Sequence, residues 1–165
     1  MLLQNHYERA FETFLREQKI PYLAVMERHR NKTDDGKSIK NLDFVISRSG
    51  ETSYLIDVKG RKFSPKGYWR SWSTHDDLLG LKEWETIFGE NFCGLFVFAY
   101  QICGNKSPLP PEDLFEYKNN LYGFIGISYR DYLSEVKLLS PRWQTFSLPS
   151  DKFRKLARPF LDFVR

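Results

Sequence analysis

The sequence has little of what would place a small protein in a special class. Only two cysteines, Cys93 and Cys103, occur in 165 residues. They make neither a disulfide framework nor a four-ligand zinc site, so a reduced, cytoplasmic protein is expected. Long apolar runs are missing: the longest, Phe92 to Tyr100 with Gly94 counted in, has nine residues, against the roughly 20 that span a bilayer. No membrane association is expected. The opening stretch Met1-Leu2-Leu3-Gln4-Asn5-His6 has no basic segment followed by an apolar one, so no secretory leader is expected. There is no internal repeat and no low-complexity tract. Disorder, a collagen-like chain and a coiled coil are excluded by the 41% hydrophobic and 16% aromatic content beside 28% charged residues. One domain over residues 1–165 fits this length.

Negative charge is scarce in two stretches. The formal net charge is only +4, but between Lys59 and Arg70 the cations Lys59, Arg61, Lys62, Lys66 and Arg70 have no acid among them. Lys152, Arg154, Lys155, Arg158 and Arg165 stand against Asp162 alone. The first cluster is interleaved with Tyr68, Trp69 and Trp72, a composition that suits a phosphate backbone and unpaired bases. A solvated basic surface accounts for the same charges.

Apolar periodicity then orders the chain. Tyr7, Ala10, Phe11, Phe14 and Leu15 recur at helical spacing, predicting a helix over residues 5–18 that Pro21 bounds. A short strand is expected over 22–27, then a polar loop or hairpin tip to Lys40 around Asp35-Gly36. Strands over 42–47 and 53–59, joined by Arg48-Ser49-Gly50-Glu51, make a hairpin. A basic, aromatic loop is expected from Gly60 to Ser73. Thr74, with Asp77 three residues on, resembles a capping box opening a helix that Gly89 ends. The run from Phe92 to Tyr100 reads as a strand buried on both faces. After a loop at Pro108–Asp113 come a strand at 121–128, a short helix at 130–136, a strand at 143–147, and a helix capped by Ser150 and interrupted by Pro159. This is an α/β domain with a mixed central sheet flanked by helices.

Asp43, Asp57 and Lys59 carry the chemistry. Strand side chains alternate, so Tyr54, Ile56 and Val58 share one face, while Leu55, Asp57 and Lys59 share the other. An acid and a lysine inside an apolar strand are expensive to desolvate unless partnered. Asp43 opens the neighbouring strand and can meet Asp57 across the hairpin. Two facing carboxylates call for a cation between them, and a divalent metal with oxygen ligands suits that place.

Asp43, followed fourteen positions later by Asp57-Val58-Lys59, resembles the core motif of the PD-(D/E)XK nuclease superfamily. Glu8, on the first helix and at the edge of its apolar stripe, is similar to the metal-linked glutamate of that group, and Gly60-Arg61-Lys62 to its basic continuation. Leu42 stands where the motif often has proline. The resemblance covers residues 5–100, is similar to small Holliday-junction-resolvase-like and restriction-endonuclease-like members, and leaves 101–165 as a C-terminal extension of the same domain, serving specificity or a homodimer interface.

The resemblance implies a restriction-endonuclease-like core and metal-dependent hydrolysis of phosphodiester bonds in nucleic acid, DNA in first place. It implies Mg²⁺, with Mn²⁺ as the alternative, on Asp43, Asp57, Glu8 and the carbonyl of Val58. Lys59 would orient the attacking water or stabilise developing charge. Arg61, Lys62, Lys66, Arg70 and Trp69 would hold the nucleic acid. Two other classes stay open: a nucleic-acid-binding module with a dead site, and a protein-interaction domain whose aromatics face a partner. His75-Asp76-Asp77 looks like a ligand cluster, but its place at a helix start favours capping. Trp84 falls at core spacing, whereas Trp69 and Trp72 fit base stacking and core packing equally well.

Overall fold

The computed structural model describes residues 5–25, 31–32, 36 and 38–165. The end of the strand expected over 22–27 and the turn expected at Asp35 lie outside the described residues. The elements in chain order are α1 (His6–Glu17), β1 (Leu23–Ala24), β2 (Asn31–Lys32), β3 (Ser38–Ile39), β4 (Phe44–Ile46), β5 (Ser53–Phe63), β6 (Ser73–Thr74), α2 (His75–Phe88), β7 (Phe92–Ile102), β8 (Phe115–Tyr117), β9 (Asn120–Ser128), α3 (Tyr129–Glu135), β10 (Lys137–Ser140), β11 (Thr145–Ser147), α4 (Ser150–Leu156), β12 (Arg158–Pro159) and α5 (Leu161–Val164).

The main sheet runs β1-β4-β5-β7-β9-β12, with β8 added on β9. Among the described residues, only β5 and β7 pair in parallel within it. A parallel pair needs a crossover, and α2 supplies it. β9 and β12, from residues beyond 100, extend the sheet that the first half begins.

Alternation along the strands divides the core in two. One side joins Tyr54, Ile56, Val58, Leu95 and Val97 to Ala10, Phe11, Phe14 and Leu15 of α1 and to Phe160 and Phe163. The other joins Leu55, Phe63, Phe96, Phe98 and Ile125 to Leu78 and Leu81 of α2, Tyr132 of α3 and Phe153 of α4. β7 is covered on both sides, and its residues 94–100 are all buried, which is why its sequence is a continuous apolar run.

Local chemistry sets the element ends. Asn5 caps α1, its side chain accepting from the Glu8 amide at 2.9 Å. At α2 the Thr74 hydroxyl accepts from the Asp77 amide at 3.1 Å, and the Asp77 carboxylate accepts from the Thr74 amide at 2.9 Å, completing the capping box. Gly89, at φ 86°, then ends the helix.

Three expectations are corrected. The basic loop does not begin at Gly60: β5 continues through Phe63, because β7 pairs with it residue by residue up to Phe63 and Ile102. Ser150 does not cap α4; it is the first helical residue, and Pro149 precedes it with no side-chain cap bond. Pro159 lies in β12, at the end of the sheet order, where a missing amide is tolerated. The short strands β8 and β10 were not expected from the pattern.

Candidate active site

The site lies where the β4–β5 hairpin runs out of partners. β5 pairs with β7 over all its residues, but with β4 only at Tyr54, Leu55 and Ile56. Asp43 immediately precedes β4, and the antiparallel register that sets Phe44 against Ile56 puts Asp43 level with Asp57. The Asp43 carboxylate accepts from the Val58 amide at 2.7 Å, so a side chain takes up the first edge amide beyond the hairpin ladder. An open cavity of about 770 Å³ adjoins this edge, and Asp43, Asp57, Val58, Lys59 and Glu8 all line it.

Glu8 reaches the cavity from α1 through a close approach of backbone and ring. A Cβ placed on Gly60 would lie 2.0 Å from Cδ2 of Tyr7. Only a bare backbone leaves room for the Tyr7 ring, and the next residue, Glu8, is thereby carried to the site. Asn5 Nδ2 donates to Glu8 Oε1 at 3.4 Å.

Asp57 and Lys59 are 4% and 8% exposed. Lys59 Nζ lies 3.1 Å from Asp57 Oδ1 and 2.7 Å from Asp77 Oδ1. Lys40 Nζ lies 3.6 Å from Asp57 Oδ2 and also pairs with Asp77 Oδ1. Two carboxylates and two ammonium groups thus form one compensated cluster, the arrangement under which buried charge is tolerated. Burial opposes the charge of Asp77, but Lys59 and Lys40 beside it outweigh this and hold its carboxyl well below the ordinary carboxylate range. Burial likewise opposes the charge of Lys40, and Asp57 and Asp77 more than reverse it, raising its pKa.

Lys40 and Asp77 escaped the sequence reading as site residues. Lys40 had no local signal. Asp77 had one, in His75-Asp76-Asp77, and its capping role was the role expected. Both roles hold at once: Oδ2 of Asp77 accepts from the helix start, and Oδ1 meets the two lysines.

The expected nucleic-acid contacts separate into two kinds. Lys62, Lys66 and Arg70 are exposed. Arg61 is enclosed: Nη1 donates to the Gly60 carbonyl at 2.7 Å and Nη2 to the Trp72 carbonyl at 2.5 Å, and burial lowers its pKa. Trp69 packs edge-on against Phe63 and Tyr100, at centroid distances of 5.6 and 6.1 Å. Trp72, in contrast, lines the cavity.

The side-chain donors fit a hard divalent cation by their chemistry: the carboxylates of Glu8, Asp43 and Asp57 line one opening. Among the described residues, no three His, Cys, Asp or Glu side chains are arranged to hold a metal ion. The ammonium groups of Lys40 and Lys59 occupy the near side of Asp57 instead.

No protein-family model matches this sequence, and no curated protein matches it. A solved structure with a similar fold is that of Hjc, a Holliday junction resolvase from the archaeal hyperthermophile Archaeoglobus fulgidus. The TM-score is 0.52 at 14% identity, over 93% of this chain and 96% of that one. The fold is therefore restriction-endonuclease-like, a mixed sheet flanked by helices, as the Asp43 and Asp57-Val58-Lys59 pattern led us to expect. Among the described residues, no helix is long and apolar enough to cross a membrane.

Proposed function

We propose that this chain is a metal-dependent nuclease of the PD-(D/E)XK type that hydrolyses phosphodiester bonds of nucleic acid, with DNA as the first substrate to test. The observation that carries the proposal is the gathering of Glu8 from α1, Asp43 from just before β4, and Asp57 and Lys59 from β5 around a single cavity. The neighbour's activity on Holliday junctions makes branched DNA a natural member of the substrate panel.

Asp43, Asp57, Glu8 and the Val58 carbonyl are the groups that would hold Mg²⁺ or Mn²⁺. Such an ion, when bound, lowers the pKa of a coordinated water and offsets charge on the phosphate. Lys59 is held by Asp57 on one side and Asp77 on the other. Its ammonium is thereby preorganised to orient the attacking water or to stabilise the charge that develops on the phosphate oxygens. Asp77 acts through Lys59 and is a positioning residue. Lys40 must give up Oδ2 of Asp57 for that oxygen to ligate, and Asp77 remains its partner when it does. Lys62, Lys66 and Arg70 stand exposed for flanking phosphates.

A second reading, a nucleic-acid-binding module without cleavage, is favoured by one observation: both oxygens of Asp57 already face lysines.

The test incubates the protein with Mg²⁺ or Mn²⁺ and duplex, single-stranded and branched DNA and RNA. Metal-dependent cleavage is expected. Asp57→Asn should weaken both cleavage and metal binding. Lys59→Ala should cut single-turnover cleavage by about 10²-fold or more while metal affinity, read by calorimetry, stays equal or tightens. Salt-sensitive binding with no cleavage of any substrate selects the second reading. Lys59→Ala cleaving like the parent would leave Lys59 as a structural ion-pair partner.

A further inference from the structure

We infer that Trp72 is a stacking platform for an unpaired nucleobase, and that the site therefore prefers nucleic acid with an unpaired nucleotide beside the cleaved phosphate. The inference rests on the nuclease reading above and narrows it to a substrate class.

Position comes first. Trp72 lines the same cavity as Asp57 and Lys59 and is 38% exposed, while its chain neighbours Ser71 and Ser73 are 2% and 0% exposed. The backbone on either side is pinned. The Ser71 hydroxyl accepts from the Leu148 amide at 3.0 Å, and the Ser71 carbonyl accepts from the Tyr132 hydroxyl at 2.6 Å. The Ser73 hydroxyl donates to Tyr132 at 2.8 Å. A large ring on so fixed a backbone loses little conformational freedom when something stacks on it.

Arg61 covers one face of the ring. Its Cζ stands 3.7 Å from the indole centroid, within cation–π distance. Both terminal nitrogens are bound to backbone carbonyls, one of them that of Trp72 itself. Arg61 is therefore a support for the ring, and its two terminal nitrogens are committed before any phosphate arrives.

Ordinary core packing does not explain this ring. Trp69, three residues earlier, shows what packing looks like here: its indole lies among Phe63, Tyr100 and Phe153, with centroids 5.6 to 6.1 Å away. Trp72 is held out of that cluster and over the cavity. A base suits the surroundings because it is uncharged, and the cavity mixes the carboxylates of Asp43, Asp57 and Asp77 with the cations Lys40, Lys59 and Arg61. Its π-face matches the indole.

The experiment measures binding in EDTA, where metal-dependent cleavage is stopped. Two labelled DNA duplexes each carry a one-nucleotide bulge, one with its base and one abasic, beside an uninterrupted duplex; the same set in RNA distinguishes the sugar. The parent should bind the bulge with a base about tenfold tighter than the abasic one, in DNA, RNA or both. Trp72→Ala should bind both bulges alike, at the abasic level, and the duplex as the parent does. Trp72→Phe, which keeps a ring, should keep most of the preference and guards against misfolding of the alanine variant. Equal binding of the two bulges by the parent in both sugars, or an undiminished preference in Trp72→Ala, overturns the inference while leaving the nuclease reading intact. No binding and no cleavage of any nucleic acid by the parent overturns both.

Discussion

The two faces of β5 are buried to the same degree and filled by opposite means. Ile56 and Val58, facing α1, are 0% and 6% exposed; Asp57 and Lys59, between and beyond them, are 4% and 8% exposed. On the first face, rings meet rings: Phe11 has Phe160, Phe124 and Phe44 at centroid distances of 4.9, 5.2 and 5.5 Å. On the second, carboxylates meet ammonium groups. Burial alone therefore does not say what a position contributes. The apolar face supplies stability through area removed from water, while the charged face is tolerated only because its partners arrive from α2 and from the segment before Asp43.

The largest effect expected from this contrast is on the apolar side. Phe11→Ala should lose about 3–5 kcal/mol in denaturant unfolding, since it empties a fully buried aromatic site. Next comes the charged face with one partner removed. Asp77→Ala leaves Lys40 and Lys59 sharing a single carboxylate and removes half of the α2 capping box, so a loss of about 3 kcal/mol is expected in the same measurement. A loss below about 1 kcal/mol would show that the cluster is solvated rather than desolvated.

Removing the charges together should act in the opposite direction. The fourfold variant Lys40→Met, Asp57→Leu, Lys59→Met, Asp77→Asn should be as stable as the parent, or more so by about 1–4 kcal/mol, with cleavage abolished. A strong destabilisation would mean that the cluster serves the fold more than the chemistry.

The smallest effect is a slope. The folded-state carboxyl of Asp77 is depressed, so its stabilising contribution is complete above the ordinary carboxylate value and is lost as pH falls toward the folded value. The stability difference between the parent and Asp77→Asn should therefore narrow below about pH 4, by up to roughly 1.4 kcal/mol per pH unit. A difference that stays constant from neutral pH to about pH 2 would remove Asp77 from the ion-paired cluster.

Legibility in the sequence followed the range of the interaction. The facing of Asp57 and Lys59 depends on a period of two within one strand, and the α1 stripe on a period of 3.6 within one helix; both were readable. Phe63 was not readable as strand, since Gly60-Arg61-Lys62 looks like a loop until β7 is seen beside it. Lys40 and Asp77 were invisible as a pair because 37 positions separate them and only the docking of α2 brings them together. The difference between Trp69 and Trp72 was equally hidden. Both lie on the same aromatic, basic stretch, and only the packing of α4 and the placement of Arg61 tell them apart.

The contact between Tyr7 and Gly60 bears on how such a chain can drift through sequence space. The two residues lie far apart in the chain, yet any side chain at 60 would occupy the volume of the Tyr7 ring, with its Cβ 2.0 Å from Cδ2. Gly60 cannot change while the ring at 7 remains. Gly60→Ala by itself forces α1 away from β5 and pulls Glu8 with it, whereas Gly60→Ala together with Tyr7→Gly leaves space for the added methyl. The pair is an epistatic lock: in diverging copies of this sequence, a residue larger than glycine at 60 becomes admissible only after the aromatic ring at 7 has gone.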